Sequence, residues 1–276
     1  MTTDLEFVDT QVHYWQPSAN DWYPTLRSRP ALYRDILPGD FPPVAGHVHV
    51  SAVTAPRAFL DETRWLDRMR HDTGLPTAIV GTIDPAASFE MIEADLLAQA
   101  ESPAFRGIRV FSGLDPAADT TLELFRLLAE HDWIFDLIAR LADVASYLPV
   151  IEKSPGTTFV LEHAGWPDGE EPGQFRQWRE GIARLAAFEN IDCKISGLGM
   201  ALGTMDPQRL RPWVETCLEL FGVDRCFFGS NFPVDSVAGT YAELITAYRE
   251  ITAPLSEGDR HKVFAANARR RYRLPG

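Results

Sequence analysis

The chain has 276 residues, 45% of them hydrophobic, which is enough for one large core and long for a single sandwich or small α/β domain. Its 26 Lys and Arg stand against 39 Asp and Glu, a net charge of −13 spread without runs, which disfavours nucleic acid and anionic membrane as partners. Cys193, Cys217 and Cys226 show no C-x-x-C spacing, no stretch approaches ~18 consecutive apolar residues, and MTTDLEFVDT lacks a basic segment followed by an apolar one; a soluble, cytoplasmic protein with reduced thiols is expected.

The first apolar run, LEFVDTQVH (5–13), ends in an alternation that places Asp9, Gln11 and His13 on one strand face, turned into a barrel. A loop over 14–43 follows, whose Trp15, Trp22, Tyr23, Tyr33 and six prolines suit a stiff aromatic lid. In the second run, HVHVSAV (47–53), His47 and His49 come early and belong to the lower or middle barrel; Ser51, on the same face nearer the rim, is the better candidate to touch substrate. TAIVGTI, FRGIRVF, WIFDLIA, TFVLEHA, IDCKISG and RCFFGSN complete eight strand-like runs. Helical patterns lie between them, for example over 58–71, 87–100, 122–131, 175–188, 207–221 and 241–251. Strand then helix, with no G-x-G-x-x-G or P-loop sequence, predicts an α/β fold, a (β/α)8 TIM barrel in a single domain over 1–276, rather than a doubly wound sheet. A second long loop, WPDGEEP (166–172), is acidic and turn-rich.

Strand ends of a barrel meet at one rim, where active sites are built. Four segments there stand in order: DTQVHYW (9–15), VLEHAGWP (160–167), CKISG (193–197) and FGSNFPV (228–234). Together they resemble the amidohydrolase superfamily, in its lactonase-like branch of fuconolactonase, galactarolactone isomerase and 2-pyrone-4,6-dicarboxylate lactonase. In that branch the corresponding strands look like D-T-H-x-H-x-W, V-x-D-H-x-G-x-P, C-K-x-S-G and F-G-S-D-x-P-V. The resemblance spans nearly the full length and implies a hydrolase of a small polar lactone or related cyclic ester. Two departures carry weight: Gln11 replaces the first His and Asn231 the last-strand Asp. A neutral amide oxygen is a poor donor to zinc or manganese. His13 and His163 remain as the matched imidazoles and would be the ligands of any divalent metal, but the expectation is an enzyme without a tightly bound metal or other cofactor.

Without metal, side chains must generate the nucleophile and polarise the carbonyl. His163 is the first catalytic candidate and His13 the second, although each also reads as a structural histidine. Glu162, next to His163, is expected to face the helices. Asn231 can hold a water or a substrate oxygen; Asp235 is either a replacement carboxylate or a helix N-cap. Arg109, Arg140 and Lys194 point to an anionic small-molecule substrate or to internal salt bridges with Asp9 or Asp136, and the resemblance assigns Arg109 and Lys194 to the substrate-facing set. Trp15 and Trp166 wall the pocket or simply pack; His71, His131 and His261 read as surface groups. The competing functions are lactone isomerisation or decarboxylation on the same scaffold and a catalytically inactive binding barrel. A homodimer is the default assembly.

Overall fold

The computed structural model describes residues 5–274, so the first four residues of the N-terminal stretch lie outside it. Eight strands form one parallel sheet in chain order: β1 (Val8–Val12), β2 (Gly46–Val50), β3 (Ala78–Gly81), β4 (Phe105–Arg109), β5 (Ile134–Leu137), β6 (Thr158–Leu161), β7 (Ile191–Ile195) and β8 (Cys226–Phe228). Bonds from Thr10 Oγ1 to Phe228 O and from Asn231 N to Gln11 O, each 2.7 Å, draw the first and last strands together into a nearly closed barrel. The expected (β/α)8 architecture is what the chain adopts.

Around the barrel lie α1 (Phe59–Thr73), α2 (Phe89–Ala100), α3 (Asp119–Glu130), α4 (Leu141–Glu152), α5 (Pro172–Ala186), α6 (Leu198–Leu202), α7 (Pro207–Phe221) and α8 (Tyr241–Ile251), then α9 (Glu257–His261) and α10 (Asn267–Tyr272). The helix α4 is absent from the patterns above because LADVASYLPVIE is apolar on most faces and holds Pro149, which blurs the 3.6-residue period. Among the described residues no helix is long and apolar enough to cross a membrane, and all three cysteines are free and buried.

Strand alternation splits the core into two layers. Ile108, Phe135, Leu137, Phe159, Leu161, Cys193, Ile195 and Phe228 pack outward against the helices. Val8, Val48, Ala78, Val80, Ile134, Val160 and Phe227 pack inward, joined by Ala268 and Tyr272 of α10, which plugs the barrel from below. Burying each large apolar side chain stabilises by ~1.5–3 kcal/mol. Higher up the inward positions turn polar.

Three expectations about facing are corrected. The pairing register shifts between Asp9 and Val12, so Asp9 turns toward α8 and accepts a 3.0 Å bond from Tyr241 Oη, while Gln11 and His13 face inward. Glu162 shares its parity with Val160 and so points into the barrel, where it meets Gln11 and Arg109. His47, His49 and Ser51 do share a face, but Val48 and Val50 occupy the interior and that face turns toward α1. Ser51 Oγ donates to Glu62 Oε2 at 2.5 Å and His49 Nε2 lies 3.8 Å from Glu62 Oε1, so the Ser51 hydroxyl is directed away from the mouth.

The 14–43 loop packs as its composition suggests. Trp15, Tyr23, Leu26, Leu32 and Ile36 form an apolar cluster with Ala52, pinned by a 3.1 Å bond from Trp15 Nε1 to Leu32 O.

Candidate active site

A cavity of about 250 Å³ lies between this lid and the upper rim, with His13, Arg109, His163 and Asn231 on its polar side. Trp15, Tyr23 and Trp166 wall it, and Arg29 and Arg140 also line it.

His163 is placed by a break in backbone geometry. After β6 the chain turns through left-handed conformations at His163, Ala164 and Trp166 (φ 52° each), and Asn231 on the opposite side has φ 57°. Among the described residues these are four of seven non-glycine positions with positive φ, each costing on the order of 1 kcal/mol, and they gather where chemistry is expected. The turn is held by Trp178 Nε1 donating to Ala164 O at 2.7 Å. A Cβ at Gly197 would stand 2.5 Å from His163 Nδ1, so the glycine of CKISG lets the imidazole lie against the end of β7. There Ser196 Oγ sits 2.9 Å from His163 Nδ1, while Glu162 Oε2 lies 3.8 Å from Nε2. Burial moves the His163 pKa down to about 4 despite the pull of Glu162, so the ring is neutral at pH 7.

His13 Nδ1 lies 2.8 Å from Val50 O, and because a carbonyl only accepts, Nδ1 carries the proton. Its Nε2 is 3.2 Å from Asn231 Oδ1, and Asn231 Nδ2 donates to Asp235 Oδ1 at 2.6 Å. This arrangement belongs to a protonated His13 with an ionised Asp235. Burial disfavours both charges, moving His13 down to about 3 and Asp235 up to about 7. The neutral pair closes the same chain of bonds with the amide turned end for end, Asp235 donating to the amide oxygen and the amide NH2 to His13 Nε2. Asp235 itself sits behind Asn231, accepts from Gly199 N at 3.0 Å, and does not cap α8, whose N-cap is Thr240.

Beneath the cavity lies a closed set of charges. Lys194 Nζ donates to Gln11 Oε1 at 2.8 Å and pairs with Asp136; Gln11 Nε2 donates to Glu162 Oε1 at 3.2 Å; Arg109 reaches Glu162 Oε2 at 3.3 Å and the Ser51 carbonyl. Burial alone would raise Glu162, but the Arg109 and Lys194 cations outweigh it and hold the carboxyl below its usual range. Burial pushes Asp136 upward, with Lys194 opposing.

Of the residues singled out in the sequence, His13, His163, Asn231, Trp15, Arg109, Arg140 and Trp166 meet on one cavity. Gln11 and Lys194 form its floor instead, with Asp235 and the Ser51 hydroxyl turned elsewhere. Glu162, Ser196 and Arg29 were missed; the parity of Glu162 with Val160 in TFVLE could have found the first, whereas Arg29 carries no sequence signal. Among the described residues no three His, Cys, Asp or Glu side chains are grouped to hold a metal ion, and His13 Nε2, the nitrogen that the Nδ1 bond to Val50 O leaves for a ligand, faces the neutral amide of Asn231, a poor donor set for zinc or manganese.

Comparison with known proteins agrees with this architecture, for the sequence pattern described as amidohydrolase matches residues 8–274. The chain belongs to the amidohydrolase family. It is 28% identical to an L-fucono-1,5-lactonase of Burkholderia ambifaria, over 97% of this chain and 95% of that one. An uncharacterized Sinorhizobium fredii protein is 31% identical over 99% of this chain and 100% of its own. An amidohydrolase crystal structure from Burkholderia multivorans with bound zinc superposes with a TM-score of 0.85 at 25% identity, covering 98% of this chain and 100% of that one. These place the chain in the family's lactonase branch, as the four rim segments imply.

Proposed function

We propose that this amidohydrolase opens a small lactone by metal-independent hydrolysis in the cavity under the lid. The observation that carries the reading is a neutral His163 on the cavity wall with the ionised Glu162 carboxylate 3.8 Å behind it. A water beside His163 attacks the ester carbonyl carbon and gives its proton to the imidazole; Glu162 stabilises the imidazolium that forms. Arg109, which lines the cavity, supplies positive charge toward the oxyanion. Collapse breaks the ring C–O bond, and the alkoxide takes the proton back from His163, leaving a hydroxy acid. His13, held as the Nδ1–H tautomer, and Asn231 hold the attacking water or the carbonyl oxygen. The lactonase relatives support the same substrate class.

The test is a panel of monocyclic lactones followed by proton release, with product analysis and elemental analysis of the protein before and after chelation. An opened acid and chelator-resistant turnover are expected. A shifted ring or released carbon dioxide would replace hydrolysis by isomerisation or decarboxylation. Near-stoichiometric metal with activity lost on chelation would overturn the metal-free step.

A further inference from the structure

Three arginines line the cavity, and they differ in what they already hold. Arg109 is engaged by Glu162 and the Ser51 carbonyl. Arg29 and Arg140 are not: among the described residues no carboxylate forms an ion pair with either, although the chain carries 39 acidic residues. Arg29 ends the first short helical turn of the lid (Pro24–Ser28), whereas Arg140 follows β5 and precedes α4 on the barrel rim. The two cations therefore reach one cavity from different elements, one from the lid and one from the rim.

Their placement relative to His163 is set by stacking. The Arg140 guanidinium lies 4.4 Å above the Trp166 ring, and Trp166 meets His163 edge-on with centroids 4.8 Å apart. Arg140 and His163 thus flank the same indole, so a ligand with its ester carbonyl at His163 can present a second group to Arg140 beside Trp166. Trp15, Tyr23, Leu26 and Leu32 make the lid wall apolar, and about 250 Å³ lies at the small end of ligand cavities, suited to a single ring. A guanidinium binds a carboxylate through paired N–H bonds and loses little entropy when it is already stacked.

We propose that Arg29 and Arg140 form a carboxylate clamp joining lid to rim, so that the lid closes on a monocyclic lactone bearing a carboxylate and not on its neutral counterpart. The word lactone rests on the function proposed above; the carboxylate rests on the clamp alone. Arg29 is then a specificity-determining residue that the anion ties to the barrel.

The clamp is tested by binding, apart from turnover. Benzoate and benzamide are titrated calorimetrically into the wild-type protein, Arg29→Gln and Arg140→Gln. In parallel, trypsin cleavage is followed at the exposed Arg27 and Arg34 of the lid. The Arg29 to Pro30 bond resists trypsin in any case, so Arg29→Gln removes no cleavage site. The clamp predicts that benzoate binds at least ~10-fold tighter than benzamide, as one charge-assisted paired contact implies, and slows lid cleavage several-fold. Both effects fall away in each variant. Equal binding of acid and amide, no benzoate binding, or an acid preference unchanged in Arg29→Gln overturns it. A protein that opens neutral and carboxylated lactones alike keeps the hydrolase reading and loses the clamp; one that opens no lactone but shows the benzoate preference does the reverse.

Discussion

The floor and the mouth of the cavity use the same residue types in opposite ways. Below, Lys194, Arg109, Asp136 and Glu162 are fully or almost fully buried and closed upon one another. Above, Arg29 and Arg140 are exposed and carry no carboxylate partner among the described residues. A buried charge must be matched or it costs several kcal/mol, so the floor is fixed by its own bonds. An exposed charge is solvated and costs little to leave free, which keeps it available to a ligand. Burial, more than residue type, separates the charges that support the site from those that can recognise something in it.

Breaking the floor should have the largest effect. Lys194→Ala leaves Asp136 buried without its cation and is expected to lower stability by ~3–5 kcal/mol in denaturant unfolding; a loss under ~1 kcal/mol would mean that water or another group already serves Asp136. His163→Ala, between floor and mouth, should reduce turnover by ~10²–10⁴-fold with the fold intact by circular dichroism. Near-normal turnover would remove His163 from the mechanism. The third effect appears with pH. Folding raises the Asp235 pKa to about 7, so its stabilising contribution is fully present below the unfolded value near 3.8 and is lost as pH rises through 7. His13 and His163, lowered to about 3 and 4, act in the opposite sense, their cost appearing as pH falls below 6.5. Replacing Asp235 by Asn removes only the first contribution, so its melting temperature relative to wild type should be higher at pH 8 than at pH 5. A pH-independent difference would place the Asp235 pKa near its ordinary value. Smallest of all, Arg140→Gln should change unfolding free energy by less than ~0.5 kcal/mol, which sharpens the contrast with Lys194.

Much of this was legible in the sequence. Eight β-rich runs separated by helical periods gave the barrel, and the strand-end motifs gathered His13, His163 and Asn231 at one rim. What stayed hidden was phase. Parallel barrel strands are buried on both faces, so TFVLE or HVHVS reads as apolar or mixed throughout, and nothing local says which parity meets the axis. Glu162 and Ser51 were assigned to the wrong side for that reason, and the register shift in β1 separated Asp9 from Gln11 and His13. Arg29 lies in a loop with no period at all, and its position depends on packing of Trp15 and Leu32 that no short window contains.

The plug formed by Tyr272 links the two ends of the barrel electrically. Its hydroxyl lies 3.5 Å from Asp136 Oδ1 and its ring 5.6 Å from Lys194 Nζ, directly under the floor. A cavity cut there, as by Tyr272→Ala, admits water from below, raises the local dielectric around Asp136 and Lys194, and weakens the field that Lys194 exerts on Glu162 and His163. The electrostatic poise of the rim is thus set in part by how dry the opposite end is kept.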